Sequence, residues 1–575
     1  MQLPEIIPLN ESSLLLQWKQ QPGPALLRHM LQLHQTLQQH PFPGYSEAVT
    51  AYNSMAVFFE PTRVQRQSHP DVHAAVAAYL LQLLQQLPAF EMPEGKTITI
   101  PVCYDADFGP DLMRLTEATH TDAAILVQLH GSRVYDVYAI GFMPGFPYLG
   151  FLPEKLQVPR RARPRTRVAA GSVAVAGTQT GIYPFDAPGG WHVIGNTPLQ
   201  LFNPERDPPF LLQPGDRVQF QPISKTTWQQ LAAAQQPASP VKIKNSVPGS
   251  PPILQVEQGG FGATLHDGGR TGYRNRGLPP CGPAAPYYAK LANLLVGNVA
   301  QATVLELPQA PYRFRILQGS VFACTGGGLQ PTLDGKAIAL NRPFWAGAGS
   351  LLELRQPIPG FRLYLAASGG WAAEVFLGST ATDLRLQRGG LQGRTLQKGD
   401  LLHRHQKLTS AQQHLAQLLQ SGTQLSFTGL NVNPGQTRIQ VLPGPEWNSL
   451  SAEIQHLLQT ASFRMLPESN RTGWRISGPL PAHVPGQHMY SAPVTTGTVQ
   501  YTPSGELLVL GPDGPTMGGY PRVLQLTVLG LNNMAQLRPG MAFTWVLTDF
   551  AHAEQLYLEQ EAQLQRMAHS IQSLL

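Results

Sequence analysis

From Lys96 almost to the C-terminus the apolar runs are short, and glycine or proline closes nearly every one. TITIPVCY, RVYDVYAIGF, GSVAVAG, WHVIG and DRVQFQPI follow one another in this way. The 55 glycines and 53 prolines are spread through such runs instead of forming a low-complexity tract, so they act as turns between strands. A chain punctuated like this builds barrels or sandwiches, not bundles of long helices. At 575 residues with 42% hydrophobic side chains it also exceeds what one core organises, which predicts two to four domains.

The first ninety residues read differently. Apolar residues recur at three and four in 24–39 (LLRHMLQLHQTLQQ) and 71–87 (VHAAVAAYLLQLLQQL), which predicts two helices, with the strand-like YNSMAVFFEP between them. The reading is therefore mainly β with an α/β N-terminal subdomain over 1–92, a lid or docking module, and a β-barrel over 93–224. A linker rich in Gln, Ala, Ser and Pro follows over 225–252, then a second strand-rich part over 253–550. The last stretch, 551–575, predicts one exposed amphipathic helix that packs on its own domain or serves a homo-oligomer contact. A repeat is visible: AGTQTGIYP and DGPTMGGYP share their endings, and LLQPGDRVQF and QLRPGMAFTW follow them, so both halves are expected to carry the same kind of barrel.

Charged residues are 13% of the chain, and the net charge of +6 comes from scattered Lys and Arg without a basic stripe, which argues against a nucleic-acid partner. Cys103, Cys281 and Cys324 are far apart and lack metal-ligand spacing, so neither a disulfide framework nor a metal site is expected. No basic segment leads a long apolar run, and about 18 successive apolar residues occur nowhere; a cytoplasmic setting without membrane contact is the expectation.

Glycine and proline concentrate in GFMPGFPYL (141–149), PRRARPR (159–165), GSVAVAGTQTGIYP (171–184) and APGGW (187–191). Glycine-rich turns expose N–H groups that bind oxyanions, though barrel turns alone have the same composition. Arg160, Arg161, Arg163, Arg165 and Arg167 offer bidentate carboxylate or phosphate recognition, or a solvated strand edge. His130, at the end of AAILVQL where a strand should turn into a loop, has the place of a general acid or base and equally of a structural histidine. HDGGRTGYRNRG (266–277) sets Asp267 and Arg270 in one glycine-rich loop, either as a site or as a pair capping a turn. SNRTGWR and GPDGPTMGGYP carry similar mixtures. No GxxxxGK[ST], GxSxG, HExxH or strand-associated GxGxxG motif occurs.

The blocks GFMPGFPYLGFLP, PRRARPRTRVAAGSVAVAGTQTGIYPFDAPGGWHVIGNTP and LLQPGDRVQF resemble the B subunit of prokaryotic 5-oxoprolinase, also described as allophanate-hydrolase subunit 1 and as the Kip-type kinase inhibitor. HDGGRTGYRNRGLPPCG, KLANLLVGN, SGGW, VFLGSTATD, GGLQGRTLQKGD, VLPGPEW, SNRTGWRISG and GPDGPTMGGYP are similar to the C subunit, or allophanate-hydrolase subunit 2. The order implies a B–C fusion. The resemblance implies multiple cyclophilin-like barrels, one in the B part and two related ones in the C part. It implies ATP-dependent hydrolysis of 5-oxoproline to glutamate, with ATP and Mg2+ but no biotin, and a separate A subunit of the lactam-utilisation type. The site residues it suggests are His130, Asp267, Arg270 and Glu306 as catalytic groups. Arg160, Arg165, Gln179, Tyr183, Asn293 and Arg471 would bind substrate or nucleotide. Other expectations are a carboxyltransferase-like component of a urea-carboxylase-type system, or a Kip-type regulator of a histidine kinase. Departures fall mainly in the C part: Ala285 and Asn470 stand where the family usually has aspartates, His266 precedes Asp267, and Pro515 and Met517 interrupt the last block; Asn196 replaces an arginine in the B part.

Overall fold

The computed structural model describes residues 2–66, 69–87, 95–161, 163–235, 251–427, 433–482 and 489–573. The first helix, Pro24–Gln39, starts with proline in its first turn and buries Leu26, Met30, Leu33 and Leu37, one stripe at helical spacing. The second, Val72–Gln86, is capped by Asp71, whose carboxylate accepts the Ala74 N–H at 2.7 Å. Both cover one face of a four-stranded antiparallel sheet built from Glu5–Asn10, Ser13–Gln17, Ser54–Phe59 and Tyr45–Ala51. Leu14, Leu16, Met55 and Val57 face the helices, while Leu15, Ala56 and Phe58 face the next domain. A sheet buried on both faces has continuous apolar strands, which is why SLLLQ and SMAVFF do not alternate. Each fully buried leucine there contributes roughly 2 kcal/mol.

The barrel of the B part is a seven-stranded sheet. Its order is His192–Asn196, Ser172–Ala176, Gln179–Ile182, Pro147–Gly150, Val134–Ile140, Arg217–Pro222 and Thr97–Val102. The bridge between Cys103 and Asn196 joins its two edges. In the C part, a closed barrel runs Arg522–Leu526, Thr498–Tyr501, Leu507–Leu510, Gly473–Ser477, Phe463–Met465, Ala542–Leu547 and Arg438–Pro443. The two orders are the same when read along the chain, and in both the last strand pairs in parallel with the first. The internal repeat is therefore one of topology. The two Pro-Gly turns precede equivalent last strands, but the two Gly-Tyr-Pro blocks do not correspond: GIYP ends the strand Gln179–Ile182, whereas GGYP precedes Arg522–Leu526 in the place that APGGW holds before His192–Asn196. The other C-part unit faces a six-stranded and a five-stranded sheet across one core containing Leu254, Phe314, Leu365 and Trp371.

Three sequence expectations change. The run holding His130 is a helix, Ala123–Gly131, capped by Asp122, not a strand: alanine and leucine around an N-cap carboxylate outweigh its uniform hydrophobicity. The first ten residues assigned to the linker form the helix Lys225–Ala234, capped by Ser224; residues 236–250 of that stretch lie outside the described residues. The C-terminal helix, Phe550–Ser573, is not merely exposed, because it buries Glu554, Tyr557, Leu564, Met567 and Ile571. Glu554 accepts the Val72 N–H, the Tyr557 hydroxyl donates to Glu60 at 2.7 Å, and Lys290 pairs with Glu561 at 2.6 Å. The helix thus binds the first sixty to seventy residues to the C part. No helix among the described residues is long and apolar enough to cross a membrane.

A second tie runs between the buried Glu47 on the N-terminal sheet and Arg274 in the C part. The Glu47 carboxylate takes the Arg274 guanidinium and, at 2.9 Å, its backbone N–H, and the guanidinium lies 4.6 Å from the centre of the Phe58 ring. Glu47→Ala leaves that arginine without its counter-charge. We expect destabilisation of about 3 kcal/mol, read as a lower first transition in denaturant unfolding; a loss under about 1 kcal/mol would mean that the pair behaves as an exposed one.

Candidate active site at the seam of the B and C parts

Two groups of polar side chains stand out, one with every charge engaged and one with its charge unspent. The engaged group lies in the C part. Glu306 is buried: Oε1 accepts from Arg471 at 2.7 Å, and Oε2 accepts the Ala284 N–H at 2.8 Å and the Tyr364 hydroxyl at 2.9 Å. Arg471 also grips Asp513 through two bonds of 2.9 and 2.8 Å and donates to the Gly282 carbonyl at 2.7 Å. Arg362 stands 3.6 Å from Glu306. Burial pushes the Glu306 carboxyl up, but Arg471, His266 and Arg362 outweigh it and hold the group down to about 2. Next to it His266 is pushed down to about 4, first by burial and then by Arg471, so it is neutral at neutral pH; its nitrogens meet the Thr264 hydroxyl and the Cys281 carbonyl, both at 2.7 Å. A network this fully bonded holds loops together and has little left to offer a substrate.

Several site expectations resolve into structural roles. His130 is buried inside the B barrel, stacked on Phe220, with Nδ1 2.7 Å from the Tyr104 hydroxyl and Nε2 3.0 Å from Thr180. Thr180 gives its own proton to the Ala174 carbonyl, so Nε2–H donates and Nδ1 accepts from Tyr104. Burial pushes the imidazole down to about 3. His130 is thereby a core histidine without access to substrate. Arg165 spends its guanidinium on buried Asp111, which Arg161 also binds at 2.6 Å. Asp267 caps its own loop, accepting from Gly269, Ser379 and Thr380. Asn293 donates to the Ala302 carbonyl at 2.6 Å inside the core. Arg270 is wholly buried over the Phe376 ring, donating to the Pro279 carbonyl, with Nε and Nη2 unpartnered. All five side chains are thus buried or already bonded within the chain.

The unspent group lies where the B barrel meets the C part. Thr180 and Ile182 point into the barrel, so strand alternation turns Gln179 and Gly181 outward, with Tyr183 just beyond. A Cβ on Gly181 would come within 3.1 Å of Phe146 and Trp191, so only glycine admits these rings. Gly141 is equally necessary, because a Cβ there would overlap Met517 from the C part. Arg160 reaches this face and influences the phenols of Tyr52, Tyr148 and Tyr183. A Cβ on Gly519 would sit 3.6 Å from both its Nη2 and the Ser491 Oγ, so the glycine just after the strand Met517–Gly518 lets the guanidinium approach C-part backbone. Among the described residues Arg160 makes no hydrogen bond or ion pair. Around the same seam the Tyr52 hydroxyl, the Gln500 Nε2 and the Thr516 Oγ1 are buried without partners. Burial raises the phenols of Tyr52, Tyr148 and Tyr183, so they are neutral and able to donate. Arg160 is exposed at this face, so its guanidinium is open to a carboxylate or similar oxyanion beside the neutral phenols.

Of the residues named from sequence, the structure brings Arg160, Gln179 and Tyr183 to one face, and Glu306 and Arg471 to another cluster. Tyr52, Ser491 and Gln500 were missed, since single polar residues in strands and turns carry no motif; Tyr148 lay unremarked inside GFMPGFPYL, and Asp513 and Thr516 inside GPDGPTMGGYP.

Residues 4–212 match the model of the carboxyltransferase domain, subdomains C and D, and residues 276–547 match that of subdomains A and B. The chain is 37% identical over 192 residues to the B subunit of 5-oxoprolinase from Bacillus subtilis, covering 33% of this chain and 80% of the relative. It is 30% identical over 318 residues to the C subunit of 5-oxoprolinase from Escherichia coli, covering 55% of this chain and 98% of the relative. The chain belongs to the family of 5-oxoprolinase B and C subunits, as a fusion with B first. The crystal structure of TTHA0988 is similar along nearly the whole fusion: TM-score 0.77 and 33% identity, covering 93% of this chain and 99% of that one. Urea amidolyase of Saccharomyces cerevisiae is 27% identical over 344 residues, which is 56% of this chain and 18% of that protein.

The depressed Glu306 value carries a pH signature. A carboxylate lowered on folding adds stability above its unfolded value of 4.5, and that stability is lost as pH falls towards about 2. Glu306→Gln should cost about 3 kcal/mol at pH 7. Its melting temperature should also fall less steeply than the wild type's between pH 4.5 and 2, as followed by circular dichroism. Parallel pH profiles for the two proteins would remove Glu306 from the account.

Proposed function

We propose that this chain is the B–C component of an ATP-dependent 5-oxoprolinase, which opens 5-oxoproline to glutamate together with a separate A subunit. The observation that carries the reading is the seam: among the described residues, the guanidinium left unpaired beside neutral phenols comes from the B part, and the backbone it approaches comes from the C part. Matches to both kinds of subunit, in order and on one chain, support it.

5-Oxoproline carries one carboxylate on a neutral lactam ring. Arg160 would hold the carboxylate. The phenols of Tyr148 and Tyr183 would donate hydrogen bonds to the ring, and the packed rings of Phe146 and Trp191 would exclude bulk water. A lactam resists water because its nitrogen is a poor leaving group, and ATP would supply a phosphoryl group that activates the carbonyl oxygen. Among the described residues no set of three or more metal ligands is free for a Mg2+–ATP centre. Among the described residues the one group with metal-ligand spacing is Asp71, His73 and Glu554, and its carboxylates already accept from the start of the helix Val72–Gln86. The phosphoryl step is accordingly assigned to the assembled complex, and the role of this chain is to bind and orient the lactam.

The test is release of ADP and glutamate from 5-oxoproline and Mg-ATP by this chain with its A subunit, each alone serving as control. Release from the pair only is expected, and Arg160→Gln should lower kcat/KM for 5-oxoproline about 10- to 100-fold with an unchanged melting temperature. No turnover by a stable complex would contradict the assignment. The likeness to urea amidolyase supports a second reading, a carboxyltransferase component, which urea-dependent turnover would reveal.

A further inference from the structure

A second cleft, of about 630 Å³ and without Arg160 in its lining, opens where the helix Pro24–Gln39, one end of the B barrel and the turn Arg274–Arg276 of the C part converge. Its size suits a small ligand, and three separate parts of the chain wall it, as is common for binding sites at domain junctions. Among the polar groups at its wall are Arg28, His34, Asp136, Asp216, Asn275 and Arg276.

The charges in this cleft are unequally satisfied. Arg28 makes no ion pair or hydrogen bond among the described residues. Arg276 lies 5.8 Å over the Phe210 ring and donates to the Gln213 side chain at 3.2 Å, but among the described residues it meets no carboxylate within ion-pair distance. Burial holds Arg276 below its ordinary value although the Asp216 carboxylate, on the same cleft wall, pulls it the other way. Asp216 accepts the Gln213 backbone N–H at 3.0 Å and is 2% exposed, so it belongs to its own turn. His34, pushed down to about 4 by burial and then by Arg276, is neutral and offers a hydrogen bond, not a charge. The Asn275 Oδ1 is buried without a partner. No Phe, Tyr or Trp lines the cleft among the described residues.

We propose that this cleft is a second ligand site, which takes a small aliphatic carboxylate through Arg28 and Arg276. The site stands apart from Arg160 and does not depend on the chain being a lactam hydrolase. Titration calorimetry on the full chain tests it, with glutarate as a probe of carboxylate chemistry alone, L-glutamate as the proposed product, and ATP and inorganic phosphate as competing oxyanions. Arg28→Gln is the informative variant, because that side chain makes no hydrogen bond or ion pair among the described residues and its loss should leave the fold intact. Binding of glutarate or L-glutamate is expected to weaken at least tenfold in Arg28→Gln and to persist in Arg160→Gln. Absence of carboxylate binding, or equal binding by wild type and Arg28→Gln, would overturn the proposal. So would a clear preference for phosphate or ATP that disappears in Arg28→Gln. Because binding is read without the A subunit or turnover, its failure leaves the 5-oxoprolinase assignment standing, and failed turnover leaves the cleft standing.

Discussion

The ring of Tyr52 lies between two others, 5.4 Å from Tyr138 of the B barrel and 4.9 Å from Tyr490 of the C part, at interplanar angles of 9° and 28°. Three segments far apart in sequence therefore share one stack, and their relative placement follows from it. Offset aromatic contacts of this kind add about 0.5–1.5 kcal/mol each beyond the area they bury. The geometric consequence matters more than the energy. With Tyr52 fixed, the outer face of the strand Gln179–Ile182 is closed by the N-terminal sheet and by Met517, and Arg160 is left at the margin beside Gly519.

The two polar clusters differ in how much of their charge is met within the chain. In the C part, Glu306, Asp513 and Arg471 satisfy one another, and the buried cations balance the buried carboxylates. Such a network fixes the loops 281–285 and 511–514 and is costly to break at any one member. Arg471 draws its counter-charge from Glu306 and Asp513, and Asn470 caps its own turn by accepting from the Thr472 N–H. At the seam the exposed Arg160 has no protein partner among the described residues, and the Tyr52 hydroxyl, the Gln500 Nε2 and the Thr516 Oγ1 are buried without one. A ligand that brings an anion to Arg160 gains binding free energy that the protein has not already spent.

Much of the fold was legible because its signals are local. Helix periodicity marked 24–39, and turn chemistry marked the barrel strands, as in the Pro214–Gly215 turn before Arg217–Pro222. The helix around His130 was misread because AAILVQL is uniformly apolar, and such a run does not distinguish a buried helix from a strand. The site was less legible. Whether an arginine is spent depends on what lies opposite: Arg165 and Arg160 are five residues apart and look alike in sequence, but Asp111 meets only the first. Asp111 precedes Arg165 by more than fifty residues, and no pattern in the sequence announces the pair.

The claim at the centre of this account is that the seam between the B and C parts receives the carboxylate of the substrate. Its most direct test is a crystal structure of the chain with 5-oxoproline at saturating concentration. The account requires the carboxylate within hydrogen-bond distance of the Arg160 guanidinium and the lactam ring against Tyr148 and Tyr183. A seam empty at saturation, with 5-oxoproline bound instead at the Glu306–Arg471 cluster, would contradict it.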